Sequence, residues 1–230
     1  KLAGIRSPEK IPVPRMEDIA RVHRDEYHID KLVLHTDSKI PLPGLTFHPK
    51  VPQESAYLYL TDEGKTGDGE PQGPIEDLVN DGYAVVTLDM RGQGETSTAI
   101  RDDLLGDWKL FYLAYLQGQS LVGPRAEDAI SGAKFIANYA LPTDKKREVH
   151  LVGVGQAGIV ALHAAAVHPN LFATVTIKNA PRSWTNIVGD QNAQGQLDSI
   201  VHGALQVYDL PDLVRLAGGS DKVKFETTKD

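Results

Sequence analysis

The chain has 230 residues, of which 41% are hydrophobic and 24% are charged, a composition that suits one domain with a sizeable buried core. Its 31 acidic and 24 basic residues leave a formal net charge of -7, and a negative surface disfavours nucleic acid as a partner. The sequence contains no cysteine, which excludes disulfides, thiol catalysis and Cys-ligated metal.

No apolar run approaches the roughly 20 residues that cross a bilayer, so no membrane span is predicted. The first residues, Lys1–Gly4, contain neither an initiating Met nor the apolar core of a signal peptide. We therefore expect a processed form or a part of a longer protein. Its localisation stays open, and a soluble periplasmic or extracellular protein is expected if a signal peptide was removed.

Residues 1–26 are predicted to be a linker or N-terminal strap ahead of one domain that covers residues 27–230. Three prolines favour an extended chain at the start of the strap: Pro8, Pro12 and Pro14. Residues 16–22 then predict a short helix.

Two β-rich runs follow, residues 27–34 and 40–47, with a polar turn between them. They predict an antiparallel hairpin. Pro41 and Pro43 cannot donate a backbone hydrogen bond, so they should confine the second arm to an edge or a bulge.

Beyond the hairpin, short apolar strands alternate with helical segments. The predicted strands are 56–60, 83–88, 149–152, 172–177 and, almost at the C-terminus, 222–227. The predicted helices are 74–80, 108–117, 126–139 and 157–167. This order predicts an α/β fold, a mostly parallel doubly wound sheet with helices on both faces and an N-terminal antiparallel hairpin.

One helix, residues 108–117, has an aromatic stripe that is predicted to lie in the core or at a domain interface. The stripe consists of Trp108, Phe111, Tyr112 and Tyr115. The surrounding segment, residues 104–123, is expected to overhang the ligand cleft as an interface or a lid.

Ligands bind at the carboxyl ends of parallel strands, so the strand-to-helix junctions are the expected site. After strand 149–152, a turn of small residues leads directly into an apolar helix. The segment resembles the G-x-S-x-G nucleophile elbow of α/β-hydrolases, with Gly153 first, Ala157 last and Gly155 in the place of the serine. Glycine has no side chain to attack a carbonyl, so no catalytic residue is assigned.

The same glycines, Gly153, Gly155 and Gly158, also match the G-x-G-x-x-G pattern of dinucleotide-binding loops. That alternative is disfavoured because the strand is not the first of the sheet, and no acidic residue follows at the expected spacing. A nucleotide-binding module nevertheless remains an alternative. The glycines could also serve simply to bring the helix close to the strand.

The junction after strand 56–60 would supply an oxyanion-hole amide in an α/β-hydrolase. Thr61 and Asp62 stand where hydrolases of the acetyl xylan esterase-like group have a His-Gly pair. A carboxylate at Asp62 would oppose a developing oxyanion unless it pointed away. The alternative is an exposed acidic turn.

The third junction, residues 88–96, resembles the D-x-R-G-x-G loop of the same superfamily, in which Asp89 and Arg91 are expected to pair. The resemblance to bacterial acetyl xylan esterase-like proteins extends from about residue 27 to the end, and it implies a C-terminally abbreviated α/β-hydrolase-like fold. Segments 182–184 and 201–213 belong to it.

No ordered triad can be assembled, because the acid and the histidine should follow the nucleophile in that order. Asp209, Asp212 and Asp230 are candidate acids, yet no histidine follows Asp209. His163 and His168 are expected to be packed or at the surface, and their spacing is wrong for two metal ligands on one helical face. We therefore predict no metal site and no cofactor.

The sequence thus predicts a non-catalytic α/β-hydrolase-like domain, a pseudoenzyme forming the C-terminal part of a larger bacterial carbohydrate-esterase-like protein. Its role would be structural, or binding through a remnant cleft at Asp62, Glu63, Gln156 and Trp184. The expected partner is a catalytic domain of the same parent protein or a carbohydrate ligand. The alternative is an active acetyl xylan-type esterase with an unorthodox or shared catalytic site.

Overall fold

The computed structural model describes residues 1–97, 108–139, 146–193 and 195–227. The strands in this part of the chain are β1 (Arg15–His23), β2 (Tyr27–His35), β3 (Pro41–Pro49), β4 (Ser55–Leu60), β5 (Ala84–Leu88), β6 (Glu148–Val154), β7 (Thr174–Lys178) and β8 (Val223–Glu226). The α-helices are α1 (Pro74–Asn80), α2 (Trp108–Leu116), α3 (Val122–Asn138), α4 (Ala157–Val167), α5 (Trp184–Gly189) and α6 (Leu210–Ala217).

The strands form one sheet in the order β1-β2-β3-β5-β4-β6-β7-β8. The pairs β1/β2, β2/β3 and β3/β5 are antiparallel, and the four remaining pairs are parallel. Leu60, the last residue of β4, pairs with Gly153 of β6. The turns that follow these two strands therefore lie side by side at the carboxyl ends of the strands. The strand order reverses at this point, and a ligand site is expected there.

Both faces of the sheet are covered, as parallel strands require. Consecutive residues of β4 point to opposite faces, so Leu58 joins the larger core and Tyr59 the smaller one. Helices α3, α4 and α6 contribute to the larger core, and α1 contributes to the smaller one. No helix in the described chain has the length and apolarity needed to span a bilayer.

The predicted strands from residue 56 onward and the four predicted helices are confirmed, and α1 and α4 have the predicted bounds. Helices α5 and α6 were not predicted. The hairpin is confirmed as β2 and β3, but its second arm is not an edge strand. The pairing of β3 with β5 covers Gly44 to Phe47, so Pro41 and Pro43 lie beyond that ladder, where a missing N–H costs no hydrogen bond to β5.

The short helix expected at residues 16–22 is wrong, because they lie in strand β1. Every residue of β1 except Met16 is exposed, so the segment is held by strand pairing and not by burial of an apolar helical face. The strand pairs along its length with β2, and Arg21 donates two hydrogen bonds to Asp30 at 2.6 and 2.8 Å. Charged side chains also protect an edge strand against pairing with other chains. The boundary at residue 26 stays a prediction.

The part of the predicted strap that precedes β1, residues 1–14, packs across α3. From here on, the strap means these residues only. Ala3 and Ile11 are buried in the larger core. Lys134 of α3 donates from Nζ to two strap carbonyls at 2.5 Å, and Arg6 pairs with Glu127 of α3 at 2.7 Å. The strap is therefore held by apolar, polar and ionic contacts with one helix.

The aromatic stripe on α2 is not part of the core, so of the two expected positions, core or domain interface, the first is wrong. The helix has no buried residue, and the side chains of Tyr112 and Tyr115 are 50% and 45% exposed. Helix α2 contacts the short turn Leu197–Ser199, and residues 104–107 of the expected overhang lie outside the described residues. A role of α2 as an interface or lid stays a prediction.

Candidate functional site

The sharp turn between β6 and α4 has the geometry of a nucleophile elbow. Gly155 has φ +64, in the left-handed region that L side chains enter only with strain. Its N–H donates to the carbonyl of Lys178 on β7 at 2.9 Å. The backbone of the elbow is thus formed at Gly155 without a nucleophile.

The carboxylate of Asp62 occupies the place from which a nucleophile would project. Its Oδ2 accepts the N–H of Gln156 at 2.8 Å, and its Oδ1 accepts the N–H of Ala157 at 2.7 Å. A Cβ atom on Gly155 would lie 2.2 Å from Oδ2, far inside normal contact distance. Glycine at position 155 is therefore what gives this carboxylate its space.

The two N–H groups lie at the N-terminus of α4, where unpaired amides and the helix dipole stabilise negative charge. In an elbow, the N–H of the residue after the nucleophile is an oxyanion donor. That donor corresponds here to Gln156, whose N–H is hydrogen-bonded to Asp62. Asp62 does not point away from the elbow, and its carboxylate accepts the N–H that an oxyanion would use.

The neighbours of Asp62 have other environments. The buried hydroxyl of Thr61 donates to the carbonyl of Gly64 at 2.9 Å and so fixes the turn after β4. Glu63 is exposed. The exposed acidic turn expected as an alternative therefore describes Glu63 but not Asp62.

Little space is left beside the elbow. The cavity lined by Asp62 and Gln156 has a volume of about 10 Å³, which corresponds to about one water molecule. Its wall is completed by Gln93, Arg125, Ala157, Val160, Asp198 and Ser199. Among the described residues, this cavity has no room for a sugar ester.

A buried ion pair in this wall was missed by the sequence analysis. Arg125 of α3 and Asp198 lie 3.1 Å apart, and their side chains are 4% and 7% exposed. Arg125 also donates from Nε to the carbonyl of Arg91 at 3.0 Å. The sequence feature that could have revealed the pair is Arg125 itself, a charged residue next to Ala126 in the apolar stripe of α3. The pair joins α3 to the turn that helps to close the cleft.

Trp184, assigned to the remnant cleft, lies in a neighbouring cavity. Its ring packs against His163 and Tyr208 at centroid distances of 5.7 and 5.6 Å, and it lines an apolar cavity of about 300 Å³. Gln196 lines the same cavity and accepts a hydrogen bond from Gln156 at 3.2 Å. The structure thus brings Asp62 and Gln156 together and places Trp184 beyond Gln196.

His163 has two hydrogen-bond partners and is buried. Because a carbonyl can only accept, Nδ1 carries the proton and donates to Ile159 at 2.7 Å, while Nε2 accepts from the Tyr208 hydroxyl at 2.9 Å. Burial lowers the pKa of His163 to about 4, so the ring is neutral at pH 7. Between described residues, no hydrogen bond joins a serine hydroxyl to an imidazole.

Asp209, one of the candidate acids, caps two helices. It accepts the N–H of Leu210 at the start of α6 and that of Trp184 at the start of α5, both at 2.7 Å, and the hydroxyl of Ser183 at 2.6 Å. Partial burial opposes ionisation, but these hydrogen bonds prevail and lower the pKa of Asp209 to about 2. Asp209 is a structural carboxylate, and Asp230 lies outside the described residues.

The loop after β5 is fixed differently from the prediction, because Asp89 and Arg91 do not pair. Asp89 accepts from the N–H and the Nζ of Lys65 at 2.7 and 2.5 Å. Arg91 binds Asp128 of α3 at 2.5 Å. The Asp128 carboxylate is buried and requires a hydrogen-bonded cation, which Arg91 supplies. The loop therefore ties β5 both to the turn after β4 and to α3.

The strand order, the elbow after β6 and the loop after β5 together define a hydrolase-type α/β domain with an altered elbow. The family model described as the alpha/beta hydrolase fold matches residues 66–213. The chain belongs to this family. A search of curated protein sequences finds no match.

Solved structures of esterases are similar to the whole described domain. A Bacteroides fragilis protein, provisionally assigned as an acetyl xylan esterase, superposes with a TM-score of 0.70 at 16% identity over 95% of this chain and 71% of that one. The acetyl xylan esterase from Paenibacillus sp. R4 gives 0.65 at 13% identity, over 97% and 84%. Acetyl xylan esterase 1 from Thermoanaerobacterium sp. gives 0.56 at 14% identity, over 96% and 74%. At such identities the likeness is one of fold.

Proposed function

We propose that this chain is a non-catalytic α/β-hydrolase domain whose elbow is closed by its own Asp62. The observation that supports the proposal is the pair of hydrogen bonds from Gln156 and Ala157 to the Asp62 carboxylate, at 2.8 and 2.7 Å. Ester hydrolysis needs the N–H after the nucleophile position, here that of Gln156, free for the carbonyl oxygen as it becomes negative. Here the Asp62 carboxylate already accepts that N–H.

The same contact disfavours the dinucleotide-binding alternative. A pyrophosphate would bind the N-terminal amides of the helix that follows the glycines. Those amides are bound to Asp62, whose charge would also repel a phosphate.

We further propose that the domain has a structural or binding role in a carbohydrate-esterase-like bacterial protein. The acetyl xylan esterase structures described above support this context, and a catalytic domain of the same protein or a carbohydrate is the proposed partner. The small volume beside the elbow supports a structural role over one in which a sugar enters the former cleft.

The test is to treat the purified chain with a fluorescent fluorophosphonate, and separately with p-nitrophenyl acetate and acetylated xylan, near neutral pH. We expect no covalent label and no hydrolysis above the buffer rate, with a working serine esterase as the positive control. Hydrolysis that is lost in Asp62→Asn and kept in Glu63→Gln would overturn the proposal. It would instead assign an active esterase that uses Asp62 to activate water.

A further inference from the structure

A second group of polar side chains lies near the N-terminal ends of the parallel strands, at the opposite end of these strands from the elbow. Gly155 follows strand β6, whereas Arg147 precedes it, and Ala56 and Ala84 lie at the N-terminal ends of β4 and β5. Arg147, Ala56 and Ala84 line a cavity of about 220 Å³ beneath the C-terminal turn of α3. The cavity is therefore separate from the closed elbow.

Arg147 is a buried cation with an incomplete set of partners. Arg147 is 8% exposed. Its Nη1 donates to the carbonyl of Gln53 at 3.0 Å, but its buried Nε has no hydrogen-bond partner. Within the described part of the chain, no carboxylate pairs with it. Burial lowers the pKa of Arg147, yet a guanidinium stays protonated at neutral pH, so a charge that no described carboxylate compensates lines the cavity.

Two further polar groups in this wall make no hydrogen bond. Thr46 is 1% exposed and its Oγ1 has no hydrogen-bond partner. The buried Nε2 of His48 makes no hydrogen bond either, but it lies 3.5 Å from Oδ2 of Asp30. Burial lowers the pKa of His48 to about 4, so the ring is neutral and one of its tautomers donates from Nε2. Buried polar groups are normally hydrogen-bonded. Two groups that line this cavity, Nε of Arg147 and Oγ1 of Thr46, therefore lack acceptor oxygens.

A metal ion is the competing occupant, because His28, Asp30 and His48 place ligand atoms within 4.8 Å of one another. Zinc uses such nitrogen and oxygen ligands. However, both oxygens of Asp30 already accept hydrogen bonds from Arg21, at 2.6 and 2.8 Å. Two guanidinium groups, those of Arg21 and Arg147, line the cavity, and Asp30 is already engaged by the first of them. A divalent cation would add to this positive charge, whereas an anion would neutralise it.

We propose that this cavity binds a small organic monocarboxylate with a flat apolar body, of the size of benzoate. The guanidinium of Arg147, which pairs with no described carboxylate, matches one negative charge, and Thr46 would donate to a remaining lone pair. The rings of Phe135 and Tyr139 line the same cavity and would contact the apolar body. A dry cavity of roughly 150 Å³ binds benzene, so a volume of about 220 Å³ has room for a ring with a carboxylate.

The test is isothermal titration calorimetry of the whole chain with benzoate, and with benzamide as the uncharged compound of the same shape. We expect benzoate to bind and benzamide not to bind. Arg147→Gln should weaken benzoate binding by about tenfold or more, because a charge-assisted hydrogen bond is lost. The same variant should unfold at a higher denaturant concentration without ligand, because an unpaired buried charge is removed. Arg215→Gln, on the exposed surface of α6, is the matched control and should change neither property.

If Arg147→Gln does not fold, Thr46→Val tests the same donor set and should weaken benzoate binding while benzamide still gives no signal. The proposal is overturned if benzoate does not bind, if benzamide binds equally, or if both variants keep the affinity for benzoate. Binding of Zn²⁺ that is lost in His48→Ala, with no response to benzoate, would assign the cluster to a metal instead. Each of these outcomes is independent of whether the elbow is catalytic.

Discussion

At the scale of single residues, Gly155 and Asp62 depend on each other. The carboxylate fills the space that a side chain at position 155 would need. The sequence predicts the missing nucleophile, because it depends on one residue in one motif. It does not predict the contact, because Asp62 and Gln156 are 94 residues apart and meet only through the pairing of β4 with β6.

Replacing Gly155 with serine is expected to destabilise the protein without producing an esterase. The new Cβ would collide with Asp62, and φ +64 strains any L residue, so we expect a loss of about 2 kcal/mol or more. Urea unfolding measures this loss, and fluorophosphonate labelling checks the activity. Gly189→Ser, which has no neighbouring atom within 4 Å, is the matched control.

A double-mutant cycle with Asp62→Ala tests whether the two residues conflict. Gly155→Ser should lower the free energy of unfolding less in the Asp62→Ala background, because the colliding carboxylate is absent. The double variant should therefore be more stable, by about 1 kcal/mol or more, than the sum of the two single losses predicts. Strictly additive losses would show that the carboxylate is not the obstacle.

At the scale of secondary-structure elements, Asp209 joins the N-termini of α5 and α6, and Asp212 completes the capping box of α6. The Asp-x-x-Asp spacing around Pro211 is a helix-start signal, so α6 could have been predicted from the sequence. The link to α5 could not, since its first turn lies 25 residues away from Asp209.

Asp209→Asn should destabilise the protein in a pH-dependent way. The pKa of Asp209 is lowered from 3.8 to about 2 in the folded state, which corresponds to about 2 kcal/mol of stability. Because the folded pKa is the lower one, this stability is fully present above pH 3.8 and is lost as the pH falls to about 2. Urea midpoints of the two proteins should therefore differ at neutral pH and converge in acid. A difference that does not change with pH would contradict this role.

The strap and α3 are joined at Gly123. A Cβ atom there would lie 1.8 Å from the carbonyl oxygen of Ala3, so Gly123→Ala should displace the strap. We expect a loss of roughly 1–3 kcal/mol and faster proteolytic cleavage within residues 1–14. Gly189→Ala, in an open position, should leave both measurements unchanged. Equal cleavage of the two variants would mean that the strap tolerates the added methyl group.

At the scale of the whole molecule, the alternation of apolar strands and helices was enough to predict the α/β sheet and the covering of both faces. Strand β1 was missed because its residues are almost all exposed and its stability comes from pairing with β2. The closed cavity beside the elbow could not be predicted either. It depends on Arg125, Asp198 and Gln93, which come from three distant parts of the chain.

The domain should unfold in one cooperative step. The larger core includes Ala3 of the strap and Val223 of β8, so both ends of the chain share one packed interior. Far-ultraviolet circular dichroism and the fluorescence of Trp184, isolated by Trp108→Phe, should give coincident urea transitions. An earlier fluorescence transition would mean that the α5 and α6 region unfolds separately.

The carboxylate at the elbow also bears on the evolutionary history of the domain. A serine introduced at position 155 would meet Asp62 and lower stability, and a change at Asp62 alone would remove the partner of two helix N-terminal amides and still provide no nucleophile. Under the function proposed above, a working nucleophile at this elbow needs changes at both positions 62 and 155. We therefore expect relatives that share the pair to differ in what they bind rather than in what they hydrolyse.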